Sequence, residues 1–369
     1  MDNGDFMDII HGGDIYTAEE KLKSEGIAPE DILDFSANIN PLDMPEGAAK
    51  AAAEAISLCS RYPDPLCRRL RKRLALWENV GEESLIFGAG AADLIFRICF
   101  ALRPETGTVT APSFEEYRLA MEGAGSQVKA IPLHEKNGFR PDFQNIKEAL
   151  AGSDILFLCN PANPTGALME RDLLQRVAAE CKKNGTILVM DECFLDLTED
   201  PEEYTLKSLL AEGDGIIILK AFTKTFAMAG LRLGYAICAS REIRDRIMRA
   251  SQPWSVSVPA QEAALAALED EDYLKRSRAL IRKEKERLKA ALEEAGYRVF
   301  PPAANYIFFK SEDMELREAL ERKGILIRSC ANYEGLSEGY YRAAVRRPEE
   351  NDRLIKELRK RKESLWQRV

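Results

Sequence analysis

Histidine is scarce in this sequence, which has only two among 369 residues. His11 and His134 are too few to supply a histidine metal cluster. They also offer few candidates for the histidine of a Ser-His-Asp relay. We therefore expect no metal site, and we expect the difficult chemistry of any reaction to come from a bound organic cofactor.

Paired cysteines, an export signal and a long apolar segment are also missing. The first ten residues, MDNGDFMDII, have no basic stretch followed by an apolar one, and no apolar run approaches the ~18 residues that a membrane helix needs. The eight cysteines are scattered without metal-type spacing, mostly inside apolar runs. We expect reduced core thiols in a cytoplasmic protein that neither enters nor crosses a membrane.

Basic residues are outnumbered, 52 against 61 acidic ones, so the net charge is -9. Such a chain has no positive field with which to bind a nucleic-acid backbone or an anionic membrane. An anionic ligand would have to be bound by individual arginines. The length and the hydrophobic content of 46% are sufficient for two domains with separate cores.

Short apolar segments alternate with helical patterns from about residue 50 to 250, which predicts an α/β fold with a mainly parallel central sheet. We predict a large domain over residues 46–255 and a smaller α+β domain over 256–369, with residues 1–45 packing on the smaller one. The predicted strands of the large domain are Thr108–Ala111, Ile155–Cys159, Thr186–Met190, Gly215–Leu219 and Gly234–Cys238.

The most specific motif is AFTKTFAMAGLRLGY at residues 221–235, directly after an apolar strand. Lys224 lies in an otherwise apolar loop, where partial desolvation lowers the pKa of an amine and favours a covalent bond to an aldehyde. Arg232 follows at a spacing that lets its guanidinium reach a phosphate. The alternative, an ordinary surface lysine, fits this apolar context poorly.

Two further strand ends and one glycine turn carry polar groups. Asp191 ends a strand at the sheet edge where α/β proteins bind ligands, although alone it would equally suit a helix cap. Asn163 follows another strand within CNPANPTG, and its amide can bond a ring oxygen. The turn GAGAAD at residues 88–93 precedes an apolar helix, so the backbone amides of Ala91 and Ala92 can bind an anion.

Along the chain the segments follow the order glycine turn, Asn-Pro-Thr-Gly, Asp, Lys, Arg. In this order they resemble the fold-type I pyridoxal-phosphate (PLP) enzymes, the aspartate-aminotransferase superfamily, over essentially the whole chain. The resemblance implies that Lys224 forms the Schiff base with PLP, that Asp191 pairs with the pyridine nitrogen and that Asn163 bonds the ring oxygen. It also implies a homodimer with shared active sites. The remaining implied cofactor contacts are Thr223, Arg232 and the amides of Ala91 and Ala92 at the phosphate, Phe114 (less favoured, Tyr117) stacked on the ring, and Tyr62 reaching the phosphate of the neighbouring subunit.

Four other segments resemble the threonine-phosphate decarboxylases of cobalamin biosynthesis, namely HGGDI at 11–15, DFSANINPL at 34–42, QPWSVS at 252–257, and ILIRSCANYEGL with YYRAAVR between 325 and 346. This resemblance implies decarboxylation of threonine phosphate to 1-amino-2-propanol phosphate. The substrate carboxylate and phosphate would be bound by His11, Asn38, Arg328 and Arg342.

Two alternatives stay open at this point: an aminotransferase acting on histidinol phosphate or a similar amino phosphate, and a PLP-binding regulator without turnover. Phe194 stands where aminotransferases usually have a tyrosine that donates to the ring oxygen, which favours the decarboxylases. Ala221, like Ala91 and Ala92, replaces a hydroxyl residue of many relatives. Phosphate binding would therefore depend on backbone amides, Thr223 and Arg232.

Overall fold

The structure is a computed structural model that describes residues 11–210 and 214–366. The first ten residues, on which the expectation of no export signal depends, lie outside the described part of the chain. The strands are β1 Leu33–Asp34, β2 Leu85–Gly88, β3 Thr106–Ala111, β4 Gln127–Pro132, β5 Ile155–Cys159, β6 Ile187–Asp191, β7 Ile216–Ala221, β8 Gly234–Ile237, β9 Arg298–Val299, β10 Tyr306–Lys310, β11 Ile325–Leu326, β12 Arg328–Ser329 and β13 Tyr340–Ala344.

The helices are α1 Ile15–Lys23, α2 Glu46–Ala55, α3 Arg68–Glu78, α4 Ala91–Leu102, α5 Glu116–Gly123, α6 Phe143–Ala149, α7 Arg171–Asn184, α8 Pro201–Tyr204, α9 Phe222–Thr225, α10 Arg241–Arg249, α11 Val258–Ala267, α12 Tyr273–Glu294, α13 Leu316–Glu321 and α14 Pro348–Trp366. Helix α7 ends where Gly185 takes a left-handed φ of 70°, as the glycine after its pattern predicts. Within residues 11–210 and 214–366, none of these helices combines the length and the apolar character needed to cross a membrane.

The large sheet has seven strands in the order β2-β8-β7-β6-β5-β3-β4. Strand β8 runs antiparallel to both neighbours, and the other strands are parallel to one another. Successive residues of the central strands enter separate apolar cores, with Leu156 and Leu188 on one face and Phe157 and Val189 on the other. Burial on both faces explains why these strands are continuous apolar runs.

The five predicted strands of this sheet are confirmed, with ends shifted by a residue or two. The sequence prediction missed β2 and β4, which are the two edge strands. Strand β4 is partly exposed and contains Gln127 and Lys129, so it lacks the apolar signal of a buried strand. Strand β2 is only four residues long and runs directly into the glycine turn.

A second, antiparallel sheet has the order β12-β13-β10-β9. The segment 325–329 is divided at Ile327 into β11 and β12. Strand β11 pairs in parallel with β1 near the start of the chain, whereas β12 pairs with β13. The division thus allows one segment to join two different partners. The domain boundaries at residues 45 and 255 stay a prediction.

A buried ionic cluster lies where β6 and β7 end. The Lys220 amine is 3.1 Å from a carboxylate oxygen of Glu78 and 2.7 Å from one of Asp196. Tyr235 donates to Glu78, and Lys207 approaches the same carboxylate at 3.0 Å. Burial alone would raise the pKa of Glu78, but Lys220 and Lys207 outweigh burial and, with the hydrogen bonds, lower this pKa to about 2. The cluster connects α3 to β7, which leads into the helix of Lys224, and to the segment that follows Asp191.

We expect Glu78→Gln to lower the free energy of unfolding by about 3–5 kcal/mol at neutral pH, because Lys220 is left buried without half of its counter-charge. Since the pKa of Glu78 is lowered in the folded chain, the stabilisation is present above the ordinary carboxyl range. The deficit of the variant should therefore shrink as the pH falls toward about 2. Urea unfolding of wild type, Glu78→Gln and the exposed control Glu83→Gln at several pH values measures the loss of unfolding free energy. Equal midpoints for all three proteins would contradict the expectation.

Candidate active site

A cavity of about 220 Å³ opens at the carboxyl ends of β5, β6 and β7. Strand ends of a parallel sheet meet at one edge, which is why residues far apart in sequence converge there. Most of the predicted site residues line this one cavity, namely His11, Asn38, Ala91, Ala92, Phe114, Asn163, Asp191, Thr223, Lys224, Arg232 and Arg342. The structure does not bring Tyr62 or Arg328 to its wall.

Lys224 lies on the short helix α9, which begins immediately after β7. Burial lowers the pKa of its amine to about 8, and the charges of Arg342 and Arg232 act in the same direction. Nζ lies 5.9 Å from the centre of the Phe194 ring. Among the described residues, no carboxylate lies within ion-pair distance of this amine. A large fraction of the amine is therefore neutral near pH 8 and able to act as a nucleophile.

Asp191 ends β6 as a buried carboxylate with two donors. Tyr117 donates to Oδ2 at 2.6 Å, and the backbone N–H of Cys193 donates to Oδ1 at 2.9 Å. The Tyr117 ring also stacks on Phe157 at 5.2 Å between centres. Burial and the nearby carboxylate raise the pKa of Tyr117, so its phenol stays a neutral donor. Sequence reasoning considered Tyr117 only for ring stacking and missed this bond.

Asn163 and Arg342 are hydrogen-bonded to each other inside the cavity. The Arg342 guanidinium donates to Oδ1 of Asn163 and, at 2.8 Å, to the backbone carbonyl of Ser36. This contact makes Oδ1 the acceptor end of the amide, so the NH₂ end is the one that can donate to a ligand. The Arg342 Nε is buried without a hydrogen-bond partner among the described residues. One N–H of this arginine thus remains for an anion.

The start of α4 and Arg232 form a cradle with the shape of an anion site. Gly90 has a φ of 98°, and a Cβ there would lie 2.7 Å from a guanidinium nitrogen of Arg232. A Cβ on Gly234 would lie 2.5 Å from the Ala91 backbone nitrogen. The missing Cβ of Gly90 therefore lets Arg232 approach the start of α4. The missing Cβ of Gly234 lets the same helix start pack closely against β8. Backbone amides and a fixed guanidinium together suit a phosphate group.

The opposite end of the cavity contains His11, Glu116 and Asn38. His11 Nε2 lies 2.9 Å from Oε1 of Glu116, while the second oxygen of Glu116 and Oδ1 of Asn38 are buried without partners among the described residues. The backbone N–H of Gly13 donates to Ser36 Oγ at 2.7 Å, which holds the His11 segment against the loop that carries Asn38. Sequence reasoning missed Glu116, although it lies two residues after Phe114.

Arg328 and Tyr62 lie outside the cavity wall. Arg328 is the cross-strand partner of Arg342 and is buried; it donates to Asn332 at 2.8 Å and its guanidinium lies 5.4 Å from the Tyr333 ring centre. Tyr62 is 76% exposed and stacks on Trp254 with 4.6 Å between ring centres. A direct contact of either residue with a ligand stays a prediction.

Comparisons with known proteins identify the family of this chain. The family model described as aminotransferase class I and II matches residues 30–358. Threonine-phosphate decarboxylase of Salmonella typhimurium is 37% identical over 352 residues, 95% of each chain. Histidinol-phosphate aminotransferase 2 of Archaeoglobus fulgidus is 34% identical over 340 residues, covering 90% of this chain and 96% of its own.

Among solved structures, histidinol-phosphate aminotransferase from Clostridium acetobutylicum superposes with a TM-score of 0.84 at 29% identity. The match covers 90% of this chain and all of the other. The predicted fold class is confirmed, and the family model spans both sheets and every strand that lines the cavity. The chain therefore belongs to the aminotransferase class I and II family of fold-type I enzymes that depend on pyridoxal phosphate.

Proposed function

We propose that this enzyme decarboxylates L-threonine O-3-phosphate to (R)-1-amino-2-propanol O-2-phosphate, as a step of cobalamin biosynthesis. One observation carries the proposal. Arg342 lines the cavity with a buried N–H that has no partner among the described residues, and its charge lies close enough to Lys224 to lower the pKa of that amine. A substrate with two anionic ends needs such a group in a chain of net charge -9. The relative from Salmonella typhimurium supports the same reaction.

The cavity residues fit pyridoxal phosphate. In the proposal, Thr223, Arg232 and the amides of Ala91 and Ala92 hold the phosphate, while Lys224 binds the aldehyde carbon covalently. The ring would stack on Phe114, with Asp191 at its nitrogen and the NH₂ of Asn163 at its oxygen. Bound PLP supplies an electron sink for the pair left at Cα when carbon dioxide departs.

The chain's own residues then orient the substrate and move one proton. Arg342, His11 and Asn38 are proposed to hold the carboxylate and phosphate, so that the bond to the carboxylate stands perpendicular to the ring. Lys224 would take up a proton from the incoming substrate ammonium and would donate that proton from Nζ to Cα after carbon dioxide has left. Phe194 contacts Tyr306 edge to face and offers no phenol to the ring oxygen.

A homodimer is part of the proposal. Ile56, Leu58, Tyr62 and Leu66 are exposed within eleven residues of chain, and Trp254 stacks on Tyr62. An exposed apolar cluster of this kind is typical of a protein interface. Tyr62 would reach the phosphate in the partner subunit. A cytoplasmic location is also proposed, supported by eight free cysteines of which only Cys59 is exposed.

The lowered pKa of Lys224 predicts how cofactor uptake depends on pH. Only the neutral amine attacks the aldehyde, so the rate of covalent PLP attachment to apoenzyme should rise with pH and level off above about 8. Absorbance during reconstitution gives the rate, and borohydride reduction with peptide mapping identifies the lysine. Lys224→Ala should retain no reduced adduct, whereas the surface control Lys283→Ala should behave as wild type. An adduct on another lysine would disprove the assignment.

The reaction itself is tested by supplying threonine phosphate or histidinol phosphate, each with and without 2-oxoglutarate. We expect carbon dioxide and amine product from threonine phosphate without any keto acid, because decarboxylation consumes no amino acceptor. Carbon dioxide, amine product and glutamate are measured in each mixture. Stoichiometric glutamate from histidinol phosphate, with no carbon dioxide from threonine phosphate, would instead establish an aminotransferase, the reaction named for the relative from Archaeoglobus fulgidus.

The dimer is tested by placing a charge in the exposed apolar cluster. Trp254→Glu should shift the protein from dimer to monomer at micromolar concentration, because a carboxylate would have to be desolvated in the interface. Met314→Glu, at an exposed residue in the turn before α13, is the matched control and should remain a dimer. Sedimentation velocity gives the mass of each species. A wild-type monomer with full activity would refute the shared active sites.

A further inference from the structure

Glu116 places a carboxylate among the cationic groups of the proposed substrate end. It is the first residue of α5, and its side chain is only 13% exposed. One oxygen lies 2.9 Å from His11 Nε2. The other is buried and meets no donor among residues 11–210 and 214–366. A buried oxygen without a donor is unfavourable until a ligand supplies one.

The neighbouring groups make this carboxylate unexpected. Arg342 also lines the cavity and has a buried N–H without a described partner, as an anion site requires. Burial, with a contribution from the charge of Glu116, raises the pKa values of Tyr333 and Glu115. Neither residue is a cation that would neutralise Glu116. A fully ionised ligand group placed directly against Glu116 would therefore be repelled by this carboxylate.

A phosphate ester differs from other anions in one property that matters here. Its second pKa is about 6, so near neutral pH part of it carries a P–OH group that can donate a hydrogen bond. A sulfate ester or a carboxylate has no such proton at this pH. A carboxylate acceptor in an anion site therefore stabilises a protonated phosphate and disfavours sulfate of the same size and shape.

We propose that Glu116 is a specificity-determining residue that recognises the phosphate end of the substrate by accepting a hydrogen bond from its P–OH group. His11, bound to the first oxygen, orients the carboxylate and offsets its charge. The inference rests on the proposed function, because it assumes that a phosphate group enters this end of the cavity. It adds a reason why a phosphate is chosen over an equally charged or equally shaped group.

The test compares methyl phosphate with methyl sulfate as probes, by calorimetric titration of the PLP-loaded protein at constant ionic strength and about pH 5, where the phosphate ester carries one P–OH and both probes are monoanions. Wild type should prefer phosphate by about tenfold or more, as expected for a hydrogen bond to a charged acceptor. Glu116→Gln should reduce the preference to within about twofold, because its amide can donate to sulfate. Glu116→Asp should keep a preference, and the neighbouring control Glu115→Gln should match wild type.

Two results would overturn the inference: equal affinity of wild type for both anions, or an equal loss of both in Glu116→Gln. A measurement without variants covers the case of a variant that does not fold. The wild-type preference for methyl phosphate should fall as the pH is raised from about 5 to about 8, because the phosphate ester loses its last P–OH proton. Since the two probes have the same charge and a similar shape at the lower pH, their affinity ratio there isolates that proton, and a ratio that stays constant with pH would also refute the proposal.

The kinetic counterpart separates this inference from the proposed reaction. Glu116→Gln should raise KM for threonine phosphate about tenfold while kcat stays within about threefold, because Glu116 acts in binding. If wild type releases no carbon dioxide but shows the anion preference, only the proposed reaction fails. If it releases carbon dioxide but shows no preference, only the role of Glu116 fails.

Discussion

The active site depends on keeping the amine of Lys224 neutral among fixed cations. Burial, Arg342 and Arg232 together lower its pKa to about 8, and no described carboxylate lies within ion-pair distance to reverse the effect. A carboxylate in contact with this amine would raise the pKa and leave a protonated lysine that cannot attack an aldehyde. The charges of the two arginines, which are proposed to bind anions, thus also help to keep the amine of Lys224 neutral.

The large sheet makes this arrangement possible because parallel strands deliver their last residues to one edge. Asp191 ends β6 and Lys224 lies on the helix that follows the adjacent strand β7, and both strands are covered by apolar cores on each face. Behind them, Lys220 joins Glu78 and Asp196 in a buried ionic cluster. Ionic contacts of this kind favour one relative position of the strand ends, because any other leaves a charge buried without a partner.

The proposed cofactor end and the proposed substrate end of the cavity are connected by hydrogen bonds. Arg342, from the small antiparallel sheet, donates to Asn163 in the loop after β5 and to the Ser36 carbonyl near the start of the chain. The side chain proposed to bind substrate thus orients the side chain proposed to bind the PLP oxygen. Movement of the small sheet would alter both hydrogen bonds at once, so the two proposed contacts are linked through one guanidinium.

The central strands, and the lysine, aspartate, asparagine and arginine close to their ends, could be predicted from the amino-acid sequence alone. These residues belong to short motifs whose position relative to a strand is local, and burial on both faces gives their strands a strong apolar signal.

The distant side chains that contact these residues could be identified only from the folded structure. Tyr117 bonds Asp191 from 74 positions away, and His11 meets Glu116 across most of the first third of the chain. Arg328 and Arg342 looked equivalent in sequence, but only Arg342 lines the cavity, because Arg328 is engaged by Asn332 and packs over Tyr333. Long-range pairing of strands and loops fixes such contacts, and no local pattern encodes it.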